Sequence, residues 1–169
     1  MAILGVDDFK SKLTGGGARS NLFKATVNFP SYVAADVELT SFLCKGVQIP
    51  GSTIAPIAIP FRGRQLQMAG DRTFEPLSLT IINDANFKVR NAFESWANGI
   101  NNFATNTGLS NMNDYICDVV VEQLNKAGET VKKYDFRGCW PSSVSTIDLN
   151  YDSENTIEEF TVELQVQYC

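Results

Sequence analysis

The sequence predicts a mainly β domain, with two antiparallel sheets packed as a sandwich or barrel, one flanking α-helix and a long Pro/Ile-rich extended loop. Three observations carry that expectation. Apolar and polar residues alternate with a period of two along most of the chain. One segment near the middle switches to helical spacing. The chain has 169 residues, 44% hydrophobic and 20% charged, which suits a single domain with a sizeable core.

Residues 1–19 precede the first strand. MAILGVDDFKSKL has no basic region before its short apolar run, and acids follow at once, which does not read as a signal peptide. TGGGARSN is glycine-rich but lacks the Gly-Lys-Ser/Thr ending of a phosphate loop, and reads as a mobile lead-in. In NLFKATVNF, Phe23, Ala25, Val27 and Phe29 face one way while Lys24, Thr26 and Asn28 face the other. Similar runs follow at about Val37–Val47, Ile57–Met68, Leu77–Ile82, Tyr115–Leu124 and Val131–Cys139. NKAG at Asn125–Gly128 supplies turn chemistry between the last two, which therefore read as a hairpin. STIDLNYD is a further short strand candidate. The cleanest alternation closes the chain: Phe160, Val162, Leu164, Val166 and Tyr168 against Thr161, Glu163, Gln165 and Gln167.

The helix is expected over 84–100. Val89, Phe93, Trp96 and Ile100 form one stripe, Asn83 or Asp84 can cap the start, and Gly99 lies near the end. Trp96 then belongs to the core. The Asn-rich stretch after it reads as a loop.

Two segments resist simple assignment. QIPGSTIAPIAIP carries Pro50, Pro56 and Pro60 among Ile49, Ile54, Ile57 and Ile59. Three prolines forbid a regular central strand, yet the stretch is too apolar for a loop facing only water. Residues 48–62 are either a loop packed on their own domain or an arm that buries its isoleucines against a neighbouring subunit. The second segment, AGDRTF, reads as a loop between strands, with Gly70, Asp71 and Arg72 as either a catalytic loop or a structural clip.

Composition narrows the function. There is no histidine, which removes Ser-His-Asp and Cys-His nucleophiles and the commonest metal ligand. Carboxylates are dispersed, so an enzyme, a cofactor or a metal is not expected. Cys44, Cys117, Cys139 and Cys169 show no metal-ligand spacing and read as reduced thiols. A net charge of −5 argues against sequence-independent DNA binding, which needs cations for the phosphates. No apolar run approaches the roughly 20 residues of a membrane helix, so stable membrane insertion is not expected.

Taken in order, SNLFKATVNF, CKGVQIPG, MAGDRTFEPLSLTIIND, the helix VRNAFESWANGI and FRGCWPSSVSTIDLNYDSENTIEEFTVELQVQYC resemble the tail tube proteins of contractile-tailed bacteriophages. The resemblance runs nearly end to end, and similar tubes occur in extracellular injection systems and bacterial type VI secretion. It implies hexameric rings whose sheets join neighbours into a ring-shaped β-barrel, stacked into a hollow tube inside a contractile sheath. Implied partners are further copies of the chain, the sheath protein, a baseplate tube initiator and a tail terminator, with DNA passing through the lumen without tight binding. The implied location is the virion, after assembly in the host cytoplasm. On this reading the stretch holding Ile49, Pro50, Ile54, Pro56, Ile57, Ile59 and Pro60 reaches adjacent subunits, and Gly70, Asp71 and Arg72 clip an interface. An acidic channel would repel DNA, and acids on the polar faces of strands are the candidates: Glu38 foremost, then Asp118, Glu122, Glu159 and Glu163. The alternatives are the inner tube of a bacterial injection system that delivers effectors, or a monomeric ligand-binding β-barrel.

Overall fold

The computed structural model describes residues 5–169, so residues 1–4 of the N-terminal segment lie outside the described residues. Two short elements lead in, helix α1 (Val6–Lys12) and strand β1 (Phe23–Val27). Helix α2 (Val37–Leu43) runs into β2 (Cys44–Gln48), then β3 (Ser52–Phe61), β4 (Arg64–Phe74) and β5 (Leu77–Ile82). Helix α3 (Lys88–Ile100) precedes β6 (Cys117–Leu124), β7 (Thr130–Val144) and β8 (Glu159–Gln165). Six strands are hydrogen-bonded in the order β1-β6-β7-β8-β5-β2, all antiparallel, while β3 and β4 form a second sheet by themselves. The fold is sandwich-like and not closed into a barrel. The pivot is β7, whose first part pairs with β6 and whose last part, from Trp140, pairs with β8.

Alternation places the core. Ala25 and Val27, Leu77, Leu79 and Ile81, Val119 and Val121, and Phe160, Val162 and Leu164 all point inward and are buried. Helix α3 lays Val89, Phe93 and Trp96 onto this face, as its spacing predicts, with Ile100 half-buried at its end. Phe29 meets the rings of Phe93 and Trp96 edge-on at 5.2 and 5.6 Å. The Trp96 indole N–H donates to the Tyr115 carbonyl at 2.7 Å, so the largest core side chain buries no unpaired donor. Each such side chain stabilises the fold by about 1.5–3 kcal/mol through burial alone.

Several sequence expectations change. The run Val37–Val47 is a helix followed by a strand, because Asp36 caps it by accepting the Leu39 amide at 3.0 Å. Thr40, buried, returns its hydroxyl proton to the Asp36 carbonyl at 2.8 Å. The run Ile57–Met68 is broken at Arg62 and Gly63, whose φ values of 46° and 80° make a two-residue hairpin turn. STIDLNYD forms no strand. Helix α3 starts at Lys88 behind a left-handed Phe87 (φ 55°), because Asn83 bonds the Glu158 carboxylate instead of capping. Gly99 lies within the last helical turn, where a Cβ would fall 2.3 Å from the Tyr32 ring. The NKAG hairpin forms as expected, with Gly128 at φ 84°.

Candidate assembly surfaces

The Pro/Ile segment and the AGDRTF segment are the two strands of one hairpin, so neither is a loop. Register pairs Ile57 with Met68, Ile59 with Leu66 and Phe61 with Arg64. Side chains of paired residues share a face, so Ile57, Ile59, Phe61, Leu66 and Met68 make one apolar stripe. The opposite face carries Pro56, Ala58, Pro60, Gln65 and Gln67. Pro56 and Pro60 sit four residues apart and share one phase of the ladder, so both can turn their missing N–H outward. Apart from Gly70 and Phe74, every residue of both strands is exposed, Phe61 at 67% and Leu66 at 59%. An isolated two-stranded hairpin is marginal in water, so this one lacks the support that a covering surface would give.

Of the arm residues expected from sequence, Ile57 and Ile59 lie on the stripe, whereas Ile54 lies beyond a register shift, opposite Arg72. Ile49 and Pro50 sit at the base, before β3 begins. Phe61, Leu66 and Met68 were not expected; their signal is the alternation of RQLQM once Arg62-Gly63 is recognised as a turn. Asp71 and Arg72 are adjacent on β4 and therefore point to opposite faces. They form no ion pair with each other, and Gly70 packs so tightly on β3 that a Cβ would fall 2.6 Å from the Ala55 carbonyl.

The six-stranded sheet ends in two open edges, β1 and β2. They approach each other across a groove lined by Phe23, Lys24, Glu38, Phe42, Cys44 and Lys45. Phe42 is 79% exposed at its lip.

The five acids expected on strand faces separate into four settings. Glu38 is on helix α2 rather than on a strand, exposed beside Lys24 and Lys45 in the groove. Glu122 on β6 stands across from Lys24 on β1 and Lys133 on β7, so cations flank it on both sides. Asp118, also on β6, clasps a bulge: it accepts from the Arg137 guanidinium and, at 3.3 Å, from the Gly138 amide. That hydrogen bond and charge raise the Arg137 pKa further above its ordinary value. Glu159 and Glu163 alone are brought together, on the outer face of β8 with Thr161, and Glu159 pairs with Lys45 at 2.5 Å. Across from them on β5 stand Ser78, Thr80 and Ile82, so this outer face is polar but for one isoleucine.

Among the described residues no three His, Cys, Asp or Glu side chains are grouped to hold a metal, and no helix is long and apolar enough to cross a membrane. Burial pushes the Cys44 and Cys117 thiols up to about 11 and that of Cys139 up to about 12. None of the three is an activated nucleophile, since it is the thiolate that reacts.

The chain matches the family model described as phage tail tube protein over residues 11–168. It is 32% identical over 168 residues to the tail tube protein of Enterobacteria phage T4, covering 96% of this chain and 98% of that one. It is 30% identical over 165 residues to the tail tube protein of Serratia phage KSP90, covering 95% and 93%. In fold it is similar to a chain of the sheath-tube complex of an extracellular contractile injection system, with a TM-score of 0.68, 15% identity and 92% of each chain covered. A chain of the anti-feeding prophage baseplate is similar at a TM-score of 0.63 and 16% identity, covering 89% of this chain and 92% of that one.

Proposed function

Because this chain belongs to the phage tail tube protein family, we propose that it builds the inner tube of a contractile phage tail, as hexameric rings stacked around a DNA channel. The carrying observation is the β3–β4 hairpin, which holds an apolar stripe clear of the core with no described residue of its own chain covering it. The open β1 and β2 edges support the same reading, since unpaired edges in a soluble chain need cover and identical neighbours can supply it by heterologous contacts that close a ring. The subunit's work is therefore mechanical and it is not an enzyme.

The outer face of β5 and β8 is the wall we assign to the channel. Ser78, Thr80, Thr161 and Glu163 offer hydroxyls and carboxylate, and Lys45, which reaches this face at Glu159, is paired there, so phosphates passing along it meet no free cation. The sheath, a baseplate initiator and a terminator are the further partners of such a tube, and the virion is its location. Identity of 30–32% to phage tail tube proteins, against 15–16% to injection-system chains, favours a phage tail over an effector-delivering tube. A ligand-binding barrel is disfavoured because Trp96, Phe93, Phe136 and Phe160 fill the interior.

Negative-stain imaging of the purified chain, alone and with a baseplate initiator, tests this. Hollow tubes or six-membered rings are expected. A monodisperse monomer at every salt and protein concentration, with the initiator present, would overturn the reading.

A further inference from the structure

The hairpin and one other surface of the same chain are complementary in a way that the tube reading does not require. The chain is acidic overall, yet the β3–β4 hairpin, residues 52–74 with its turn, carries three arginines, Arg62, Arg64 and Arg72, against one acid, Asp71. Two of those arginines flank the tip, where the Arg62 guanidinium lies over the Phe61 ring at 5.3 Å. The tip is thus both basic and aromatic.

The loop between β7 and β8 is its opposite. Residues 146–159 hold five acids, Asp148, Asp152, Glu154, Glu158 and Glu159, and no Lys or Arg. Two of these are occupied, Glu158 by the Asn83 amide at 2.9 Å and Glu159 by Lys45. Asp148, Asp152 and Glu154 are exposed, with no ion-pair partner among the described residues. The loop also exposes apolar side chains that it has no internal reason to show: Leu149 at 81%, Ile157 at 71% and Tyr151 completely. Asp148, Leu149, Tyr151 and Ile157, with Glu158 and Glu159, line an open cleft of about 720 Å³, and Asp152 and Glu154 lie on the same loop.

We propose that the hairpin tip of one copy, Phe61–Arg64, docks in the β7–β8 cleft of a second copy. Arg62 and Arg64 meet Asp148, Asp152 and Glu154, while Phe61 covers Leu149, Tyr151 and Ile157. The alternative acceptor on the chain, the groove between β1 and β2, offers an arginine tip one lining acid, Glu38, set beside Lys24 and Lys45. Charge therefore selects the loop cleft, and because donor and acceptor are different surfaces of one chain, the contact propagates from copy to copy. The inference rests on the tube reading and names the seat of the arm within it.

A charge swap tests it. Tube yield is measured by sedimentation and negative stain, with melting temperature as the check on folding. Arg62→Glu with Arg64→Glu should cut yield at least about tenfold, since like charges facing each other across an interface are strongly penalised. Asp148→Arg, Asp152→Arg and Glu154→Arg together should do the same, and the combined chain should recover tubes. Normal assembly of either separate variant overturns the docking, as does failure of a folded combined chain to recover. In either case wild-type tubes leave the tube reading standing. Wild-type chains that form no tubes with an initiator would sink the tube reading and the docking with it. If the combined chain does not fold, Arg62→Glu paired with Asp152→Lys makes the same comparison with two changes.

Discussion

Asp118 holds Arg137 and the Gly138 amide with its two carboxylate oxygens, at the point where two residues of β7 stand opposite one of β6. Gly138 adopts φ 64° there, and a Cβ would fall 2.6 Å from Cγ of Gln167. One side chain thus stitches the bulge that lets β7 leave β6 and join β8. Asp118→Ala removes the acceptor of the Gly138 amide, a bond worth about 1 kcal/mol, and should lower the melting temperature by roughly 2–4 °C. Asp118→Asn keeps an oxygen for that amide and should cost less. Equal losses in the two variants, read by thermal denaturation, would assign the stabilisation to the exposed ion pair instead.

Trp96→Phe should destabilise the domain although it keeps a ring in the core. The lost indole N–H leaves the Tyr115 carbonyl without its partner, at about 1–3 kcal/mol, before any cavity is counted. Denaturant unfolding of wild type and variant measures the difference. An unchanged midpoint would mean that the Tyr115 carbonyl finds another donor.

The expectation that strands predominate was legible because ten buried positions on β1, β5, β6 and β8 follow strict alternation. Helix α3 was legible for the same kind of reason, at a different period. Helix α2 was not, since VELTSFL fits both periods and only the Asp36 cap decides between them. The hairpin was hidden by its own exposure: apolar residues that face water in the subunit read, in sequence, like a buried run. Asp71 and Arg72 are neighbours in sequence, but alternation along β4 turns them apart.

Replacing Ile57, Ile59 and Met68 with Asp should block tube growth while leaving β-sheet circular dichroism and melting temperature near wild type. All three are exposed on the stripe, so the subunit loses little, whereas burying each in an interface is worth roughly 1.5–3 kcal/mol. Arg72→Ala should likewise reduce assembly more than stability, because an exposed charge contributes at most about 1 kcal/mol within a monomer. Tubes of normal yield from the triple variant would place the stripe on no interface.

Stability should fall at alkaline pH. Burial raises the Cys44 and Cys117 thiols from 9.0 to about 11, that of Cys139 to about 12, and the Tyr32 phenol from 10.0 to about 12. In each case the fold disfavours the charged form, so the unfolded chain gives up its proton first. The contribution is complete below pH 9 and is lost as pH rises through about 11 to 12. Cys139→Ala should flatten part of that alkaline decline in melting temperature. A decline of unchanged slope would place its origin in other groups.

Glu159→Lys together with Glu163→Lys should leave assembled tubes intact but slow DNA delivery, because lysines on the β8 face would hold passing phosphates. Tube yield and phage infectivity, measured side by side, separate the two effects. Tubes that deliver DNA at the normal rate would remove this face from the channel wall.

The exposed hairpin makes the newly synthesised chain its own worst neighbour. In the tube proposed above, until a growing end captures it, each molecule would display an exposed ribbon of isoleucine, leucine and methionine with unpaired strand edges, the template on which disordered β-stacks form. Supply and nucleation must therefore be matched in time. Chains made faster than tube ends can consume them should be lost as insoluble material, and the number of initiating baseplates, rather than the amount of subunit, should set how many tails an infected cell completes.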